Sequence, residues 1–449
     1  MLKTIKEIKF MKRDGRIEDF NEHKMLSFLE KIGIPEAPAK TLLGDFFEEI
    51  GTTLRTSEVI SALERVASRR ITPASPQFED YAGILYLEGV KNKDYRGKYP
   101  HLDILKEASN IRFPETFTEA EIEDLNDYLK PARDLKFNYK AAVIFHSKYC
   151  LNLRNVKHPA NGSISTIKEL PQIAYMRVAM FLTANLPDEE RLKECKRIYD
   201  NISLHKFTLA TPIMVNAMTN RPQTSSCVLM TVGDHTDSIL DINHKLGVMS
   251  KNIAGVAIDI SQLRARGSLI SNGVTSGPVP FLKLFEATVT AFNQGGTRPG
   301  ALCIYYPWYH QDILDLLVLK SNGGTDENRA RRLKYALKVN DIFIRKVEND
   351  EEIALVSPHE AQDLYGLYGE EFEQAYQKYL DDPNTKKIKA REVWKSFCKQ
   401  RAETGNIYLF HTDNANKVSM LNEYIGSSNL CTEVFLPSRP SSDFVDVRA

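Results

Sequence analysis

The sequence predicts an α/β protein with a helical front half and a mainly parallel sheet or barrel behind it. Two observations carry that expectation. Up to about residue 220 the apolar residues recur at helical spacing, and beyond it short β-branched or aromatic runs alternate with long helical stretches. A third bounds it: 449 residues suffice for two or three domains and a large core.

Residues 1–10 read as a short strand or arm, followed by a basic turn, Lys12-Arg13-Asp14-Gly15, in which Gly15 suits a positive φ. Met25, Leu26, Phe28, Leu29 and Ile32 mark a first helix, closed by Gly33. Leu42, Leu43, Phe46, Phe47 and Ile50 mark a second over 38–50; Val59, Ile60, Leu63 and Val66 mark a third that begins near Thr56 or Ser57. Ser75-Pro76 opens a fourth, with serine as cap and proline at the first helical position. These helices form a compact bundle and a domain of their own, residues 1–99. The helical pattern continues over 100–220. Thr118 to Glu121 is a capping box, and 170–186 is apolar on nearly all sides, as suits a helix at a domain centre.

From 221 to 449 the period changes. Strands are expected at 225–230, 256–260, 301–306 and 407–410, with helices at 278–292, 309–319 and 357–380, the last opened by Ser357-Pro358. Near the end lies Asn429-Leu430-Cys431-Thr432-Glu433. Read as extended chain, it points Asn429, Cys431 and Glu433 to one side, a thiol flanked by an amide and a possible base.

Composition excludes several classes. Basic and acidic residues number 59 each, which gives no electrostatic reason to expect a nucleic-acid polymer or an anionic membrane as partner. Six cysteines without a CxxC argue against a disulfide framework or a zinc ribbon. The N-terminus is charged throughout and no apolar run reaches ~20 residues, so a soluble, cytoplasmic protein is expected.

Four stretches taken together are more specific: SSCVLMTVGDHTDSI (225–239), ISQLRARGSLI (260–270), QGGTRPGA (294–301) and SSNLCTEVFLPSRP (427–440), with SPH at 357–359 and TGNIY at 404–408. In this order they resemble the large, catalytic (alpha) subunit of class I ribonucleotide reductases. The resemblance implies an N-terminal ATP-cone, a helical domain, and the first half of a ten-stranded α/β barrel. It implies reduction of ribonucleoside diphosphates by thiyl-radical chemistry. Cys431 would carry the radical, Glu433 would act as base, Asn429 would hold the substrate hydroxyls, and Cys227 would be one of two reducing thiols. Thr211 and Ser226 resemble substrate-contacting hydroxyls.

The same resemblance places a deoxynucleotide effector on Asp234, Arg264 and Arg266, at a self-association interface. Gln294, Gly295, Gly296 and Arg298 would carry its message to the substrate, and Pro299 stands where the family often has glycine. In the cone, Lys12, Arg13, Thr56 and Lys91 would contact ATP, with Lys93 an alternative to Lys91; Ile60 stands where the family often has histidine. No metal site is expected here and no cofactor is covalently bound. The radical would come from a metal-containing small (beta) subunit, and thioredoxin or glutaredoxin would be the reductant. The second reducing thiol, the diphosphate loop, the paired tyrosines and the thiol-bearing tail are not found in these residues. The expectation is therefore the N-terminal portion of a split or truncated subunit, active only with a complementary chain. The alternative is a non-catalytic nucleotide-binding and assembly fragment.

Overall fold

The computed structural model describes residues 9–12, 15–49, 53–159, 162–221, 223–292, 299–440 and 447–448. The chain divides into two compact units, Met1–Thr224 and Ser225–Ala449.

In the first unit a three-stranded sheet joins Lys9–Met11 to Ile17–Asp19 antiparallel and to Thr53–Arg55 parallel. Helices Glu22–Lys31, Glu36–Glu49, Val59–Arg69 and Phe78–Tyr95 follow the apolar spacing and bury Leu29, Leu42, Phe46, Leu63 and Leu85 in a common core. The first starts where Asn21 accepts the Lys24 amide at 2.9 Å, and it ends before Gly33, whose φ of +97° only glycine adopts freely. Thr118 and Glu121 form the expected capping box at helix Glu119–Tyr128. Helix Pro171–Thr183 is buried over nearly its whole surface. Its one charge, Arg177, is satisfied by Glu169 at 2.7 Å and by the Met214 and Ala217 carbonyls at 2.8 Å.

The second unit is built on a sheet of β1 (Cys227–Thr231), β2 (Gly255–Asp259), β3 (Ala301–Pro307), β4 (Lys334–Val339), β5 (Tyr408–His411) and β6 (Val447–Arg448). Their order is β5-β4-β3-β2-β1-β6; the first five are parallel and β6 runs antiparallel to β1. Side chains alternate between two buried faces, as a covered parallel sheet requires. Val228, Val256, Ile304 and Leu337 meet helices on one face. Leu229, Ala257, Cys303, Tyr305, Ala336 and Phe410 line the other, which is crossed by the loop carrying Ile425 and Leu430.

Three expectations are corrected. The helix expected at 357–380 runs only from Gly369 to Asp381: Ser357-Pro358 belongs to a turn. The helix expected at 309–319 shrinks to Ile313–Leu317. Asn429–Glu433 is a tight turn, not a strand.

Candidate active site and nucleotide-binding loops

The turn sits against the face of the sheet lined by Leu229, Tyr305 and Phe410, its inner face. Asn429 and Leu430 are buried whereas Cys431 and Glu433 are exposed, so Cys431 stands at the apex. The turn closes through the Thr432 amide, which donates to the Asn429 carbonyl at 3.3 Å, with Thr432 at φ +65°. A β-branched residue in the left-handed region is a genuine outlier. Asn429 braces the loop from inside. Its Oδ1 accepts the Glu433 and Val434 amides at 2.9 and 3.0 Å, and its Nδ2 donates to Glu433 Oε1 at 2.8 Å. An amide so engaged orients the neighbouring carboxylate.

Cys227, the first residue of β1, donates its thiol to the same Glu433 oxygen at 3.7 Å. One carboxylate thereby bridges a strand and a loop 206 positions apart. It joins Cys227 to the turn that exposes Cys431. Cys303 also lies on this face but is fully buried, and burial holds its thiol well above the usual range, with Cys431 adding to the effect against Lys334. It remains a protonated core residue. Ser226 immediately precedes β1, its carbonyl accepting the Gly255 amide at 2.8 Å, while Thr211 belongs to the first unit, at the start of helix Thr211–Asn216.

At the other candidate site Asp234 follows β1 and receives Arg264 through its backbone at 3.1 Å and its Nε at 2.6 Å; Arg264 also donates to the Leu269 carbonyl. Arg266 is mostly exposed and lies 3.5 Å from Asp315. Asp234 and Arg264 are therefore together, with part of the guanidinium already spent on a carboxylate. Sequence reasoning missed what fixes this loop. Ser357 accepts the Ala265 amide at 3.0 Å and bonds the Ser268 hydroxyl at 2.9 Å. Buried His310 holds the Leu263 carbonyl at 3.0 Å. Ser357, which opens the SPH stretch, braces the arginine loop. Gln294, Gly295, Gly296 and Arg298 lie outside the described residues.

In the N-terminal bundle, Lys12 and Thr56 directly follow adjacent strands, and the Thr56 amide donates to the Met11 carbonyl at 3.0 Å. Lys12 is paired with Glu18 at 3.0 Å. Lys91 pairs with Glu88 and lines a cavity of about 440 Å3 with Phe28, Lys31, Tyr99 and Asp134. Ile60 is buried in the bundle core, and Arg13 lies outside the described residues.

Comparison with known proteins matches residues 225–445 to the model of the ribonucleotide reductase barrel domain and residues 135–222 to that of its all-alpha domain. The chain is 32% identical over 456 residues to ribonucleoside-diphosphate reductase 1 subunit alpha of Escherichia coli, covering 96% of this chain and 58% of that protein. With ribonucleoside-diphosphate reductase subunit alpha of Haemophilus influenzae it shares 31% over 459 residues, 97% of this chain and 59% of the other. With that of Helicobacter pylori it shares 31%, covering 98% and 56%. It thus spans less than two thirds of the length of these relatives. Two ribonucleotide reductase domain models that together span most of the chain, and alpha-subunit relatives about one third identical along nearly all of it, lead to one conclusion: the chain belongs to the ribonucleotide reductase large (alpha) subunit family.

Proposed function

We propose that the chain supplies the radical cysteine and the effector loops of a ribonucleoside-diphosphate reductase. One observation carries the reading: Glu433 bonds at once to Asn429 and to the Cys227 thiol, beside the exposed apex Cys431. A Cys431 thiyl radical would take the 3′ hydrogen atom of the substrate, becoming a thiol again. Glu433 would accept the 3′-hydroxyl proton. The 2′ oxygen, protonated by a thiol, would then leave as water. Two thiols would provide the two electrons and end as a disulfide, with Cys227 as one of them. The radical would originate on a metal-containing small subunit, and thioredoxin or glutaredoxin would reduce the disulfide back to two thiols.

The second reducing thiol and the remaining barrel strands would come from sequence beyond these residues, in the same polypeptide or a second one. The edge position of β5 and the chain's coverage of its relatives support that. Asp234, Arg264 and Arg266 would receive the triphosphate of a deoxynucleotide effector, since guanidinium groups fork phosphate oxygens. The bundle at residues 1–99 would be an ATP-cone in which Lys12, Thr56 and Lys91 approach nucleotide, and the chain would act in the cytoplasm.

The test is reconstitution with a complementary barrel segment and a small subunit, followed by assay of ribonucleoside-diphosphate reduction. Cys431→Ser should abolish turnover and leave effector binding within about twofold, because a hydroxyl cannot replace the thiol as radical carrier while the effector loops are untouched. Reduction by the serine variant would overturn the assignment.

A further inference from the structure

We infer that Tyr305 is a positioning residue for the cysteine turn, acting through the strained backbone of Thr432. The inference rests on the reductase reading for its catalytic meaning but not for its geometry. Tyr305 is fully buried in the middle of β3, its ring edge-on to Phe410 at 5.7 Å between centroids. Its phenol oxygen lies 2.7 Å from the Asn429 carbonyl and 2.9 Å from Thr432 Oγ1. A phenol has one proton. The carbonyl can only accept, so that proton goes to Asn429, and the Thr432 hydroxyl donates to the phenol oxygen.

These two bonds grip both ends of the turn. The Asn429 carbonyl they hold is also the acceptor for the Thr432 amide, the bond that closes the turn. Thr432 sits at φ +65°, a conformation a β-branched residue keeps only when its surroundings impose it. Between the two gripped residues are Leu430, sunk into the inner face, and Cys431, pushed outward. Released from the phenol, Thr432 would relax toward an extended backbone, and Cys431 would lose the fixed, exposed place the turn gives it. The strain is local, and a residue of the sheet sustains it.

Tyr305→Phe removes one oxygen and keeps the ring in the core. The prediction is read by amide hydrogen exchange on the full chain. Thr432 and Glu433 amides should exchange at least about fivefold faster than in the wild type, the factor expected for losing even one of the two phenol hydrogen bonds. The β2 and β3 amides should be unchanged. Adding Thr432→Gly to Tyr305→Phe should restore slow exchange, because glycine occupies positive φ without strain. In the reconstituted enzyme Tyr305→Phe should lower kcat with KM nearly constant, and the glycine variant should recover part of it. Unchanged exchange at Thr432 in Tyr305→Phe overturns the clamp, as does a glycine double variant that exchanges as fast as the single. If Cys431→Ser remains active while the exchange results hold, the reductase reading fails and the clamp stands.

Discussion

Asp134 is a single carboxyl that makes folding depend on pH. It accepts Tyr99 Oη at 2.8 Å and Gln172 Nε2 at 2.8 Å at the wall of the cavity that Lys91 also lines. Burial pushes its pKa up to about 7, against those two hydrogen bonds and Lys91, which favour the charged form. The folded state therefore keeps a proton that the unfolded chain has released between about pH 4 and pH 7. Stability from this group is present at low pH and is lost as pH rises through 7. Asp134→Asn cannot titrate, so the variant should gain on the wild type as pH climbs across that window. A gain of about 1–2 kcal/mol is expected, discounted because the carboxyl is only partly buried. Urea unfolding of the first unit at several pH values measures it, and a constant difference between the two proteins would refute it. His146, which burial drives down to about 4, slopes the opposite way, but it is common to both proteins and drops out of the comparison.

Elements of the second unit are tied at their carboxyl ends by charge as well as by the ladder. Lys338 on β4 donates to Asp259 on β2 at 2.8 Å and to Ser261 at 2.7 Å, with both charged side chains buried. Asp259 Oδ1 in turn accepts the Ser261 amide at 3.0 Å, which starts the segment leading to Arg264. Lys338→Met leaves an unpaired carboxylate in the core and should cost roughly 3–5 kcal/mol in urea unfolding. Asp259→Asn in the same chain should return much of that, since the amide oxygen can still accept from Ser261 without a charge to bury. A loss under about 1 kcal/mol for the single variant would mean that water reaches the pair.

The same lysine explains a limit of the sequence. The strands at 225–230, 256–260, 301–306 and 407–410 were legible because their apolar, β-branched and aromatic runs stand alone between turns. Lys334–Val339 escaped because two lysines in six residues look like a surface segment, and only Asp259, 79 positions away, makes burial of Lys338 tolerable. The cysteine turn was legible in composition and misread in conformation. Thr432 belongs by propensity to extended chain, and what holds it at positive φ is a hydroxyl on β3. Ser357-Pro358 carries every local sign of a helix start, yet its hydroxyl is claimed by Ala265, 92 positions away.

At the scale of the whole molecule the sheet has, among the described residues, two covered faces and one bare edge, at β5. A parallel sheet is stable when both faces and its edges are protected. Here β1 has β6 beside it, whereas β5 stands at the opposite edge with Leu409 at 40% exposure. The stretch after β5 exposes Val418 at 80%, Met420 at 98% and Leu421 at 46%, a concentration of apolar surface that marks an association site more than a solvated loop. A complementary barrel segment would pair with the β5 edge and lie over this stretch. In its presence the Tyr408–His411 amides should become at least about tenfold better protected from exchange, as edge donors gain partners. Val418→Lys with Met420→Lys should weaken the association by about tenfold or more, since two charges must then be buried or the contact abandoned. Neither lysine touches Cys431 or the arginine loop, so effector binding should survive the loss of association. Equal protection of β5 with and without the segment would show that this edge is already satisfied and would overturn the pairing.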